Sequence, residues 1–301
     1  MAIPRFCLMC NASAEYQLVM SNHVYGDDLG QRCFFQCSKC ESIYLFPGLS
    51  ASEEKNFYAT EFEKFMSSRS GVEGGWQNIQ AHRDANRSTL LRRMKYLEPI
   101  LEGKDSILEV GCSSGFMIKP LIDKGLICEG VEPSGVFSEG LSSEGLKIYE
   151  SIDDIPLDKK YDLIVHFFVL EHIQDPVNFL KKQISLLNKG GAIVFEIPNA
   201  NDPLLTLYKI PEFEKFYWSI AHPWYFNFNS LEFLLRKLGV DFEIKLDQRY
   251  DLSNHIIWAK DGIPGGGNRF DAVYGESLGN AYKEVLIKAG CCDTLISYLK
   301  P

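Results

Sequence analysis

The sequence predicts an α/β protein whose parallel sheet is covered by helices on both faces, preceded by a small cysteine-rich module. Three observations lead there. From residue 106 onward, short apolar runs alternate with amphipathic stretches in the order strand, helix, strand, helix, which is the pattern of parallel strands joined by crossover helices. The first run, ILEVGCSSG at 107–115, ends on an acid and then breaks into small residues; in open parallel sheets ligands sit at the carboxyl ends of the strands. Two C-x-x-C pairs stand ahead of both features, at residues 7–10 and 37–40.

Each pair, Cys7 with Cys10 and Cys37 with Cys40, puts two sulfurs on one side of a tight turn, and the intervening loop is long enough to bring the two knuckles face to face. Four thiolates then close a tetrahedron around Zn with no open position, which makes a structural site. The plainer alternative is four reduced thiols in a small core. Cys33, Cys112, Cys128, Cys291 and Cys292 lie outside the pairs and are read as ordinary thiols. Tyr44, Leu45 and Phe46 follow as an apolar strand that packs this ribbon on its neighbour.

SASEEKNFY, from residue 50, carries serines and an early acidic pair, the signature of a helix start. SSRSGVEGG reads as a flexible joint, and Trp76 to Leu97 as one long helix with Ile79, Leu90, Leu91, Met94 and Leu97 on its apolar face, ended or kinked by Pro99. Strands follow at SILEVG, ICEGVEP, KIYES, YDLIVHFF and AIVFEIP, with helices expected at 116–124, 135–144 and 176–187. LEFLLRKLGV is a further amphipathic helix, FEIKLDQ a sixth strand and TLISYL a seventh. The division expected is a ribbon over 1–50, a helical linker or lid over 51–103, and the α/β domain over 104–301 with an insertion at about 249–290. That insertion, with a helix near 276–289, is of the kind that builds a substrate wall or a homodimer contact.

Charge and patterning exclude several classes. A net charge of -9 with no basic block disfavours nucleic acid as a partner, because phosphate binding needs clustered Lys and Arg. The N-terminus lacks the order of a signal peptide and no apolar run is long enough to span a bilayer, so a cytoplasmic location is expected.

In the opening loop, Gly111 and Gly115 let the chain turn sharply and let a ligand approach the backbone, while Glu109 can accept hydrogen bonds from an amine or hydroxyl. Glu132, in GVEPS at the second strand's end, suits a ribose diol, whose two donors match two carboxylate oxygens. A dinucleotide fingerprint would read G-x-G-x-x-G; here an acid near the phosphate's place would repel a diphosphate and welcome an ammonium or sulfonium.

E-V-G-C-S-S-G, G-V-E-P-S and Y-D-L-I-V-H-F-F-V-L-E-H-I-Q-D-P together resemble the class I S-adenosylmethionine-dependent methyltransferases. The resemblance covers roughly residues 90–248 and implies a Rossmann-like seven-stranded methyltransferase sheet. It implies that Glu109, Gly111, Cys112, Ser113 and Gly115 line the methionine part of S-adenosyl-L-methionine, with Phe116 beside them. By the same resemblance Glu132 takes the ribose, flanked by Pro133 and Ser134, Ile152 and Asp153 border the adenine, and His166 and Phe167 lie beside the sulfonium, although a plain core role is an equal reading for that last pair. The family usually has glycine where this chain has Ser113.

A subgroup with a four-cysteine zinc ribbon, the sugar C-methyltransferases and enzymes of polysaccharide clusters, looks similar at the front end, which implies a sugar or sugar nucleotide as acceptor. Its motif Y-H-E-H-x-x-Y-F corresponds here to SIAHPWYF at 219–226: His222, Tyr225 and Phe226 match, whereas Ser219, Ile220 and Ala221 do not. His222 is therefore expected as general base, with Tyr225 orienting it or the substrate; the plainer reading is a packed aromatic loop. Loss of the glutamate weakens carbon methylation relative to oxygen methylation, since a lone imidazole is a poor base toward carbon. Glu171 and His172 form a second candidate pair. Metal-dependent quinone-pathway O-methyltransferases have an extra glutamate three positions before such a pair; Phe168 stands there, which disfavours Mg2+, so a hydrogen-bonding role at the pocket rim is expected of Glu171 and His172. Asn254 and His255 in the insertion could meet acceptor hydroxyls or sit in a packed hairpin. An aromatic O-methyltransferase and a non-catalytic S-adenosylmethionine-binding interaction module are the alternative functions.

Overall fold

The structure is a computed structural model that describes residues 2–57, 65 and 78–301. Its strands are β1 (Gln17–Ser21), β2 (Cys33–Cys37), β3 (Ile43–Phe46), β4 (Ser106–Val110), β5 (Ile127–Val131), β6 (Lys147–Tyr149), β7 (Tyr161–Phe167), β8 (Leu187–Pro198), β9 (Trp224–Tyr225), β10 (Asp241–Asp247) and β11 (Thr294–Lys300). Seven of them form one sheet in the order β10-β11-β8-β7-β4-β5-β6. β4 to β8 pair in parallel, and β11 runs antiparallel between β8 and β10. The strand order reverses between β4 and β7, so the crevice opens beyond the carboxyl ends of those two strands.

Burial on both faces explains why β4, β7 and β8 read as continuous apolar runs. Leu108, Ile164, Ile193 and Phe195 look toward one layer, together with Leu180 of helix Pro176–Ser185 and Leu231, Leu234 and Leu235 of helix Phe228–Arg236. Ile107, Leu163, Val165 and Val194 look toward the other, where Met94 and Leu97 of helix Arg87–Leu101 and Leu121 of helix Ile118–Asp123 cover them. This is the seven-stranded architecture expected.

The second sheet has the order β1-β2-β3-β9. Three of its strands belong to the N-terminal ribbon, and the fourth comes from residues 224–225, inside the stretch singled out as SIAHPWYF. Ile43 pairs with Tyr225 and Tyr44 with Trp224. Phe34, Ile43 and Leu45 then share one apolar cluster with Trp218, Tyr225 and Trp258. The ribbon is thus seated on the α/β unit through a strand that the latter supplies.

Helix Ala51–Asn56 starts where its serines and acidic pair place it, on a capping box in which Ser50 Oγ accepts from Glu53 N at 3.3 Å and Ser50 N donates to the Glu53 carboxylate at 2.8 Å. The expected joint at 67–75 and the start of the next helix at Trp76 lie outside the described residues. From Asn78 the chain forms two helices, Ile79–Ala85 and Arg87–Leu101, separated at Asn86. The second runs past Pro99 to Leu101, because a proline in the last turn forfeits only one of the final hydrogen bonds. In the insertion, Asn254 and His255 lie on helix Leu252–Asp261 and not on a hairpin. Asp251 caps that helix, accepting from Asn254 N at 2.8 Å, and Gly262 ends it at φ 66°.

Candidate active site

The ribbon sulfurs meet as the spacing predicts. Cys7 and Cys40 lie 3.6 Å apart, as do Cys10 and Cys37, and all four sulfurs are within 4.8 Å of one another. A tetrahedron with Zn–S bonds of about 2.3 Å has edges of about 3.8 Å. Asn11 and Glu41, each following the second cysteine of its pair, take positive φ of 62° and 57°, and their N–H groups donate to the carbonyls of Cys7 and Cys37 at 3.0 and 2.8 Å. The donor set fits a structural Zn2+, which would tie the two knuckles together. Cys33 is buried outside the cluster.

At the carboxyl end of β4, Glu109 is buried, and Oε2 has no hydrogen-bond partner. Burial pushes its carboxyl up to about 8, against the pull of the Arg93 guanidinium. Gly111 at φ 73° and Gly115 at φ 77° shape the loop, and Gly111 N donates to Val131 O at 2.8 Å. A Cβ on Gly111 would come within 2.6 Å of Val169, so this position also needs a glycine for space. Ser113 sits at φ 49°, which is why a glycine is usual there, and its Oγ is buried without a partner. Cys112 packs its sulfur beneath the loop, where a Cβ on Gly130 would lie 2.6 Å from it.

Glu132, at the tip of β5, accepts from Ser113 N at 2.6 Å and from Ser134 N at 2.8 Å. One carboxylate therefore clamps the glycine loop of β4 to the turn that carries Pro133 and Ser134. Burial raises its carboxyl, and the two N–H bonds oppose the shift. Each oxygen keeps a lone pair for a diol. Beyond β6, Ile152 is half-buried, whereas the Asp153 side chain is largely exposed and pairs with Lys182 at 3.3 Å.

The expectation that His166 and Phe167 share a site is corrected by the pleat, since consecutive strand residues face opposite sides. His166 is fully buried, stacked on Phe195 at 4.8 Å and edge-on to Phe179 at 5.6 Å, and burial holds its imidazole neutral, down to about 3. It packs the core. Phe167 faces the other layer, 4.2 Å beneath the Arg93 guanidinium, and Phe116 lies 5.4 Å from the same group.

His222 and His172 do converge. Their rings cross at 4.6 Å; His172 Nδ1 lies 2.8 Å from Ala221 O, and His222 Nδ1 lies 3.1 Å from the Tyr225 hydroxyl. Glu171 completes the corner, with one atom of each of the three residues within 4.8 Å of the others. Tyr225 itself is buried, its hydroxyl accepting from Ser219 N at 3.0 Å and donating to Tyr217 O. It can orient His222 and not a substrate. Glu171 is a buried carboxylate with no hydrogen-bond partner on either oxygen, pushed up to about 8 by burial. The rim hydrogen bonding expected of the pair therefore holds for His172 alone.

Several residues around the crevice have roles that the sequence did not show. Phe168 adopts φ 58°, costly for a bulky side chain, with the Arg249 guanidinium 4.1 Å over its ring. Glu196 is buried between two arginines, accepting from Arg93 Nε at 2.9 Å and from Arg92. Arg83 Nε donates to Ser114 O at 2.7 Å, and Ser114 Oγ meets His82 Nδ1 at 2.9 Å, fastening the helix before the sheet onto the glycine loop. Only the helical position of Arg83, Arg92 and Arg93 was visible in the chain. Asn254 and His255 are buried within the insertion, bonded to Gly265 O at 2.7 Å and to Tyr282, and do not line the crevice.

A family model described as a methyltransferase domain matches residues 80–243. The chain belongs to that family. Over 119 residues this methyltransferase is 31% identical to a ubiquinone biosynthesis O-methyltransferase of Coxiella burnetii, a match spanning 36% of the chain and 50% of the relative. The chain thus spans about half the length of the curated relatives it matches. Its fold is similar to that of a SAM-dependent methyltransferase from Archaeoglobus fulgidus, with a TM-score of 0.50 at 17% identity over 80% of this chain and 100% of that one. No described helix of the methyltransferase is long and apolar enough to cross a membrane.

Proposed function

We propose that this methyltransferase moves the methyl group of S-adenosylmethionine to a hydroxyl of a small-molecule acceptor, a sugar or sugar nucleotide. The observation that carries the reading is the pair of buried acids at adjacent strand tips, Glu109 beside the glycine loop and Glu132 clamping it. Once ionised, the buried Glu109 is placed to hold the donor's ammonium, and Glu132 has the lone pairs to hold its ribose. A buried carboxylate with an unfilled oxygen favours a cationic ligand over a diphosphate.

The acceptor meets the donor at the corner of Glu171, His172 and His222. The methyl carbon bonds to the acceptor oxygen as its bond to sulfur breaks, the electron pair returns to sulfur, and the hydroxyl proton leaves at this histidine corner. Ala221 leaves His222 without a carboxylate in its own loop, which favours oxygen over carbon as the methylated atom. The sugar class rests on the resemblance of the ribbon and of residues 219–226 to sugar methyltransferases. A phenolic acceptor is the second reading, favoured by the name of the Coxiella relatives. The test is methyl transfer from labelled donor into a panel of sugar nucleotides and phenolic acids: label in a sugar nucleotide supports the first reading, label only in a phenol supports the second, and no donor binding at all refutes both.

A further inference from the structure

We propose that Glu171, His172 and His222 bind one borderline divalent cation, Zn2+ or a neighbouring transition metal, as a second metal site distinct from the four cysteines. One ligand atom from each of the three lies within 4.8 Å of the other two. A tetrahedral centre with bonds of about 2.1 Å places its ligands about 3.4 Å apart, so side-chain rotation alone closes the set. Glu171 supplies the independent observation: a carboxylate 1% exposed, with neither oxygen hydrogen-bonded and one of them within 4.8 Å of both histidine ligand atoms. Such a group is costly to leave unfilled, and a cation satisfies it.

The two imidazoles are held as metal ligands are held. A ligating histidine uses its other ring nitrogen to bond a carbonyl or another oxygen, which fixes the tautomer. His172 Nδ1 bonds Ala221 O at 2.8 Å, and His222 Nδ1 faces the Tyr225 hydroxyl at 3.1 Å. With Nδ1 so engaged, Nε2 is the nitrogen each ring would offer an ion. Ala221 and Tyr225 belong to the loop that carries His222, and Tyr44 and Ile43 of the ribbon pair with residues 224–225, so the site is braced from behind.

The ligand types choose the ion. Mg2+ requires oxygen ligands in octahedral array, and Phe168 occupies the position from which another carboxylate would come. Two imidazoles and one carboxylate instead suit Zn2+, Fe2+ or Co2+, with a coordination position left open. If the proposed methyl transfer holds, the ion would acidify an acceptor hydroxyl at that position, whose proton would pass to solvent water, and His222 would serve as a ligand instead of as the free base expected from the sequence. Metal binding itself does not depend on that reading.

The experiment is metal stoichiometry on the full chain after equilibration with Zn2+ and dialysis, together with Co2+ absorption spectra. The parent should hold two equivalents, and Glu171→Gln, which keeps the shape of the buried side chain, should hold one. The second Co2+ equivalent should give weak visible bands without sulfur-to-metal charge transfer, and those bands should vanish in Glu171→Gln and in His222→Gln. Donor binding, measured separately by calorimetry, should be unchanged in Glu171→Gln, which reports both folding and the integrity of the donor pocket. One equivalent in the parent, two in both variants, or Mg2+ displacing Zn2+ from the second site would overturn the proposal. Loss of donor binding by the parent would count against the proposed reaction and not against the metal.

Discussion

The backbone N–H of Leu45 donates to Pro223 O at 2.9 Å, so the four-cysteine ribbon grips the chain one residue beyond His222. With Ile43 against Tyr225 and Tyr44 against Trp224, the ribbon works as a clamp on the segment that carries His222.

Removing the ribbon's metal should therefore uncouple acceptor chemistry from donor binding. Cys37→Ser should lower methyl transfer at least tenfold while S-adenosylmethionine affinity stays within about twofold, because Glu109 and Glu132 stand at strand tips of the other sheet. Calorimetry alongside turnover checks this, with Glu171→Gln as a control for metal at the histidine corner. Equal loss of both activities would contradict the clamp.

Glu196 joins Arg92 and Arg93 to the centre of the sheet. Glu196→Gln leaves two guanidinium groups facing a neutral amide, one of them deeply buried. Breaking a buried ion pair from one side costs about 3–5 kcal/mol. Urea denaturation should record a loss of that order, and a loss under 1 kcal/mol would show the network to be dispensable.

Ser113 occupies the left-handed region at φ 49° with a buried, unpartnered hydroxyl. Ser113→Gly removes a backbone cost of about 1–2 kcal/mol and adds a glycine entropy cost of about 0.5–1 kcal/mol. The variant should unfold about 1 kcal/mol harder and bind the donor unchanged. A less stable variant would mean that the serine makes a contact worth more than its strain.

Burial raises the Glu109 carboxyl to about 8 from an ordinary value near 4.5. The folded, ligand-free protein holds this proton more tightly than the unfolded chain, so the stabilisation is complete below the unfolded value and is lost as pH rises toward 8. Between pH 5 and 8 the parent should lose stability relative to Glu109→Gln, as read by urea unfolding, while its donor affinity rises because the ammonium requires the ionised acid. Parallel pH profiles for the two proteins would contradict the assignment.

Much of this was legible in the chain because local periodicity encodes it. The strands from Ser106 to Pro198, the helix start at Ser50 and the two cysteine knuckles all follow from neighbours a few residues apart. What escaped is long-range. Nothing in SIAHPWYF announces that Trp224 and Tyr225 will complete the ribbon's sheet, since two residues are too short for an alternation signal and their partners lie far back in the sequence. Glu171 meets His222 only because the end of β7 and the loop after β8 fold over the same crevice. His166 and Phe167 were grouped by adjacency, which the strand pleat separates. In the insertion, the cap at Asp251 marks a helix start that the apolar cluster around His255 disguised as a hairpin.

The most direct test of the central claim is calorimetric titration of S-adenosylmethionine into the parent chain and into Glu132→Ala. Binding at one donor per chain, weakened at least tenfold in the variant, is the predicted result; no heat from the parent, or equal affinity in both proteins, would contradict it.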